Sequence, residues 1–99
     1  VPKDRGPVEY LATLIVKALV KHGWPAKWQP SPFNAAAFYI TYDGAHDLPD
    51  DFARAVDIAV RIVARTYRVE VQAYFGQVEL LVPYRVTSSG QFREIAPET

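Results

Sequence analysis

The residues with the most chemical potential are crowded into one short stretch, Asp43-Gly44-Ala45-His46-Asp47-Leu48-Pro49-Asp50-Asp51. Carboxylate oxygens suit Mg²⁺ or Ca²⁺, and an imidazole among carboxylates suits a transition metal. A metal held by Asp43, His46 and Asp50 would acidify a bound water for hydrolysis, and His46 beside Asp47 has the make-up of a general base with its orienting carboxylate. The spacing fits neither an EF-hand loop nor a helical HExxH pair. A helix start explains the same residues: Asp47 as its cap, Pro49 at an early helical position, and Asp50 and Asp51 placing negative charge at the positive end of the dipole. The expectation is a polar turn and cap, with a small metal-dependent hydrolase as the alternative and no cofactor otherwise implied.

A second set is cationic. Arg54, Arg61, Arg65 and Arg68 recur at helical spacing and so share one side of a helix. They have the spacing to contact phosphates, but Asp57 interrupts the stripe and Glu70 lies close behind it. A solvated or protein-contacting face is therefore expected ahead of nucleic-acid binding. The third set is aromatic: Trp24, Trp28, Phe33, Phe38, Tyr39 and Tyr42 concentrate ring area in the first half, around the connection Pro30-Ser31-Pro32. Core packing claims many of them, while the remainder, with Trp24, Trp28, Phe33 and Tyr39 as candidates, could contact another chain. His22 reads as a helix-end residue. Ser88 and Ser89 lack the glycine-framed elbow of a nucleophile, and no GxGxxG, phosphate loop or CxxC is present.

The elements that must position these residues follow from periodicity. Val8 to His22 reads as a helix with Pro7 in its first turn, a polar stripe of Thr13, Lys17 and Lys21, and Gly23 as a left-handed cap. Trp24–Gln29 is an edge strand between prolines, and Ala37–Tyr42 a second strand. The next helix runs from Asp50 to Thr66, with Phe52, Ala55, Val56, Ala59, Val60, Ile62 and Val63 as its apolar surface. Alternation then changes to period two: Val69, Val71, Ala73 and Phe75 form one strand, Gly76-Gln77 a two-residue turn, and Val78, Leu80, Val82 and Tyr84 the returning strand, with Pro83 marking an edge or bulge. Thr87–Gly90 is a loop, Gln91–Ile95 a last short strand, and Ala96–Thr99 a frayed end.

The expected fold is α+β, a two-layer sandwich with two helices on one mostly antiparallel sheet of four or five strands in a single domain, 1–99. Its halves, 7–42 and 47–86, both run helix, strand, strand, and an offset of 44 residues sets Leu11 against Ala55, Ile15 against Ala59, Leu19 against Val63 and Trp28 against Gln72. That pattern suggests an internal duplication. The element order also resembles the core of zinc-dependent peptidoglycan peptidases of the D-alanyl-D-alanine carboxypeptidase and phage endopeptidase type. Their motif SxHxxGxAxD falls on Asp50–Asp57, where Ala55 and Asp57 are kept, Asp50 replaces the histidine and Ala53 the glycine, and Val78 stands for the later histidine. Three zinc ligands are not assembled this way.

Eleven basic and eleven acidic residues leave no net pull toward nucleic acid or an anionic membrane, and the absence of cysteine removes disulfide and thiol chemistry. No signal peptide or membrane span is visible, since Lys17 and Lys21 interrupt the first helix. The compartment stays unassigned, with the cytoplasm as default. The reading that remains is a structural or protein-interaction module, assembling through sheet edges or an aromatic-bearing face with a protein partner or further copies of itself.

Overall fold

The computed structural model describes residues 6–45, 47–74 and 76–95; His46, Phe75 and the expected frayed end at 96–99 lie outside the described residues. Two helices pack on one face of a four-stranded antiparallel sheet, and a two-stranded ribbon closes one end. The elements are α1 (Gly6–Lys21), β1 (Ala26–Pro30), β2 (Ala37–Tyr42), α2 (Phe52–Tyr67), β3 (Val71–Tyr74), β4 (Gln77–Leu80), β5 (Tyr84–Val86) and β6 (Phe92–Glu94). The main sheet has the order β1-β2-β4-β3, so β1 and β3 are its edges. None of the helices is long and apolar enough to cross a membrane, among the described residues.

Both helices end in the same backbone device. At α1, Gly23 takes φ +86, its N–H reaches the Val20 carbonyl at 3.0 Å, and the Trp24 N–H reaches the Leu19 carbonyl at 2.9 Å. Gly23 is thus the left-handed cap that the sequence leads one to expect, and its bonds form the Schellman arrangement. At α2 the left-handed residue is Arg68, φ 55, and the Val69 N–H bonds to Ala64 at 3.0 Å. A long side chain thus occupies a conformation that favours glycine. The cap turns each chain back beneath its own helix, which is why Trp24 and Val69 both pack on the core.

The core lies between helices and sheet. Val8, Leu11, Ala12, Ile15 and Leu19 of α1 and Phe52, Val56, Ala59, Val60 and Val63 of α2 are buried against Phe38, Ile40, Val78 and Leu80. The helices run antiparallel, with Trp24 beside Phe52 at one end (ring centroids 6.1 Å apart) and Tyr10 beside Tyr67 at the other (6.3 Å). The 44-residue offset superposes the buried positions Val8 on Phe52, Ala12 on Val56, Ile15 on Ala59 and Leu19 on Val63. Beyond the helices it slips. The caps Gly23 and Arg68 are 45 residues apart, and a one-residue slip moves a strand's side chains to the other face. Trp28 accordingly shares the core face with Ile40, whereas Gln72 lies opposite Glu79 on the outer face.

Three local expectations change. First, α2 begins at Phe52 rather than Asp50, and Asp51 is its N-cap residue without a side-chain cap bond. Asp47 and Pro49 precede the helix, and the Pro49 carbonyl accepts the Phe52 N–H at 3.1 Å in a turn that leads into it. Second, Ile62 is 54% exposed and Ile58 49%, because the buried arc centres on Phe52, Val56, Ala59 and Val63 and leaves both isoleucines on its flank. Third, Tyr74 pairs with Gln77, which puts Gly76 (φ +80) at the second central position of the turn and Gln77 in the strand.

The returning strand also divides. After Leu80 the chain leaves the sheet, and Tyr84–Val86 pairs with Phe92–Glu94 as a separate ribbon. Pro83 sits at the junction: it has no donor for a ladder, while its carbonyl accepts the Ile95 N–H at 2.8 Å. The ribbon is seated by Phe92, whose ring meets Tyr10, Tyr67 and Tyr84 at 5.4, 6.4 and 6.1 Å. The Tyr10 hydroxyl donates to the Gly90 carbonyl at 3.1 Å and latches the ribbon turn to α1.

Candidate functional site

The β1–β2 connection presents the more exposed of two large aromatic side chains open to solvent among the described residues, Phe33 at 92% against Tyr74 at 68%. Ser31 is buried, its N–H bonds to the Ala37 carbonyl at 3.0 Å, and its hydroxyl accepts the Phe33 N–H at 3.2 Å. Asn34 then closes a second turn, with its side-chain oxygen accepting the Ala36 N–H at 2.8 Å and its carbonyl accepting the Ala37 N–H at 3.1 Å. The Ala36 carbonyl is tied to the Leu80 N–H at 2.9 Å, which fastens the loop to β4. Serine and asparagine are suited to these positions because their short side chains replace backbone acceptors in tight turns. At the tip of this hydrogen-bonded loop Phe33 is 92% exposed.

The other aromatic candidates are placed differently. Trp24 and Trp28 are half-buried and pack on the core, Trp24 against Phe52 and Trp28 edge-on to Phe38 at 6.2 Å. Tyr39 is half-buried on the outer face of the sheet, in a lateral row with Gln29, Gln77 and Tyr74. Lys27, Thr41, Glu79 and Gln72 lie on the same face with the buried Ala37 beside Glu79, so the side of the sheet away from the helices is largely polar.

Arg54, Arg61, Arg65 and Arg68 are all exposed. Arg61 pairs with Asp57 at 3.2 Å one helical turn away, so part of the stripe's charge is neutralised within the helix. Arg54 instead borders a groove of about 500 Å³ between the C-terminal end of α1 and the N-terminal half of α2, floored by Ala18, Ala55 and Ala59 and walled by Ile58, Ile62 and Trp24. Ile62, which periodicity assigns to the buried surface, is exposed and lines this groove.

Among the described residues, the carboxylates of the acidic stretch do not gather. Asp43 forms an exposed ion pair with Lys27 at 3.7 Å, and Asp47, Asp50 and Asp51 are exposed around the turn into α2. No group of three histidine, aspartate or glutamate side chains converges on one point among the described residues, which do not include His46. Of the two serines, Ser89 shares a 3.0 Å hydrogen bond with Thr87 inside the ribbon turn. In comparisons with known proteins, no family model, no curated protein and no solved structure matches the chain.

Proposed function

We propose that the chain is a non-catalytic protein-interaction module whose anchor is Phe33. The observation that carries this reading is a phenylalanine 92% exposed on a loop held by bonds from both Ser31 and Asn34. An exposed ring on a floppy loop would lose its binding energy to ordering the backbone, whereas one carried on a loop fixed beforehand is spared that cost. Large aromatic side chains that enter a desolvated pocket at the centre of an interface supply a disproportionate share of affinity. The partner implied is a protein with an apolar pocket of about one ring's volume.

The test is photochemical capture followed by affinity. The chain carrying a benzophenone side chain at position 33 is expressed in its native cells, with the same probe at Thr41 as a control. The protein captured through position 33 is purified and titrated against wild type and Phe33→Ser. The expected loss is roughly thirtyfold or more, as for a central aromatic anchor. Equal capture from both positions, or an affinity indifferent to Phe33→Ser, overturns the reading.

A further inference from the structure

The two edges of the main sheet are not equivalent. β1 is bracketed by Pro25 and Pro30 and carries Lys27, all features that discourage a further strand. β3 has no proline, no lysine and no charged residue within Val71–Tyr74, and Gln72, Ala73 and Tyr74 are exposed. The register settles which backbone groups face outward. The Leu81 N–H bonds to the Glu70 carbonyl at 2.9 Å, and hydrogen-bonded positions alternate along an antiparallel strand, so Glu70, Gln72 and Tyr74 turn their backbone groups toward β4. Val71 and Ala73 therefore direct their N–H and carbonyl groups away from the sheet. The Val69 N–H is consumed by the α2 cap, so a ladder built on this edge starts at Val71.

We propose that β3 pairs antiparallel with β3 of a second copy about a two-fold axis through Gln72, joining two four-stranded sheets into one of eight. In this register Val71 faces Ala73 of the other copy and exchanges both backbone bonds with it. Ala73 does the same with Val71, and Gln72 faces Gln72 in the close, non-bonded position between them. A two-fold interface requires a surface that complements itself, and this one does. On the helix side small apolar residues oppose each other. On the outer side the Glu70 carboxylate faces the Tyr74 phenol, and the two Glu70 residues lie about 14 Å apart along the strand, beyond the reach of strong repulsion at physiological salt. Moving the axis to Val71 would require the Val69 donor that the helix cap already holds.

The inference rests on the assembly reading in general but does not use Phe33, so the two stand or fall separately: Phe33→Ser should leave the dimer intact. The chain has no cysteine, which makes a single introduced thiol unambiguous. In the proposed dimer the two Gln72 Cα atoms are about 4.5 Å apart, within disulfide range. Gln72→Cys should therefore form a covalent dimer on mild oxidation at least about tenfold faster than Gln29→Cys, an exposed outer-face position on β1. Light scattering of wild type over a concentration series should show monomer giving way to dimer. Gln72→Glu and Gln72→Lys should each weaken that dimer by like charge on the axis, and an equimolar mixture should restore it. Rescue by mixing also shows that both variants are folded. Equal oxidation rates at positions 72 and 29, a mass that stays monomeric at every concentration, or a dimer indifferent to charge at position 72 overturns the proposal.

Discussion

Phe33 and Phe38 are five residues apart in sequence and at opposite extremes of burial, 92% and 0% exposed, so truncating each in turn separates a surface ring from a core ring. Fully burying a phenylalanine side chain is worth about 1.5–3 kcal/mol. Phe38 is surrounded by Trp28, Val78 and α1, and Phe38→Ala also leaves a cavity, so the expected loss is ~3–5 kcal/mol. Less than a tenth of Phe33 is withdrawn from water, which limits the effect of Phe33→Ala to about 0.5 kcal/mol. Urea unfolding followed by the fluorescence of Trp24 and Trp28 measures both. A loss above about 1.5 kcal/mol for Phe33→Ala would mean that the ring supports the fold, and the argument that it is reserved for a partner would fail.

Arg68→Gly should stabilise the protein by about 0.5–1 kcal/mol in the same unfolding assay, because glycine relieves the left-handed φ of 55 at the α2 cap and the cost in chain entropy is smaller. Asn34→Ala removes the 2.8 Å bond to the Ala36 N–H; a stability loss of about 1 kcal/mol and a several-fold fall in partner affinity with Phe33 still present would report the loop's preorganisation. Gly90 has φ +78, and a Cβ there would lie 2.9 Å from the Tyr10 hydroxyl oxygen, so Gly90→Ala should cost more than the ~1–2 kcal/mol of backbone strain alone. In a Tyr10→Phe background the excess should vanish, and a double-mutant cycle measures that coupling.

Much of the fold was legible because periodicity and punctuation agreed. The stripe of Thr13, Lys17 and Lys21, the cap at Gly23 and the alternation of Ala37–Tyr42 each carried two signals pointing the same way, and each element formed where expected. The α2 start misled for a physical reason. Asp47, Pro49, Asp50 and Asp51 all suit a helix N-terminus, and composition alone does not say which of four suitable residues the backbone uses. Arg68 gave no warning as a cap, since its only sequence signal was membership of the arginine stripe. The returning hairpin strand continued its alternation past Pro83, and the division of that run into two sheets depended on Phe92 finding Tyr10, Tyr67 and Tyr84, a contact between residues distant in sequence.

The candidate surface was legible in part. Phe33 stood in a proline-bounded stretch already rich in rings, but its neighbours Trp24 and Trp28 carried the same signal and are half-buried against the core. The distinguishing clue was the pair Ser31 and Asn34, two turn-forming side chains flanking one aromatic residue. The edge position of β1 was readable from its flanking prolines, but that of β3 was not, since the other edge signal, Pro83, pointed to the returning strand, which lies inside the sheet as β4. Strand order was not readable either, because an antiparallel αββαββ chain can place either strand of each hairpin outermost.

The most direct measurement is the dissociation constant of the protein captured through position 33, taken with wild type and with Phe33→Ser side by side after both are verified as equally stable. A roughly thirtyfold weakening at unchanged stability is the result expected of a preformed aromatic anchor. Equal affinities would contradict it and leave Phe33 as an exposed ring without a binding role.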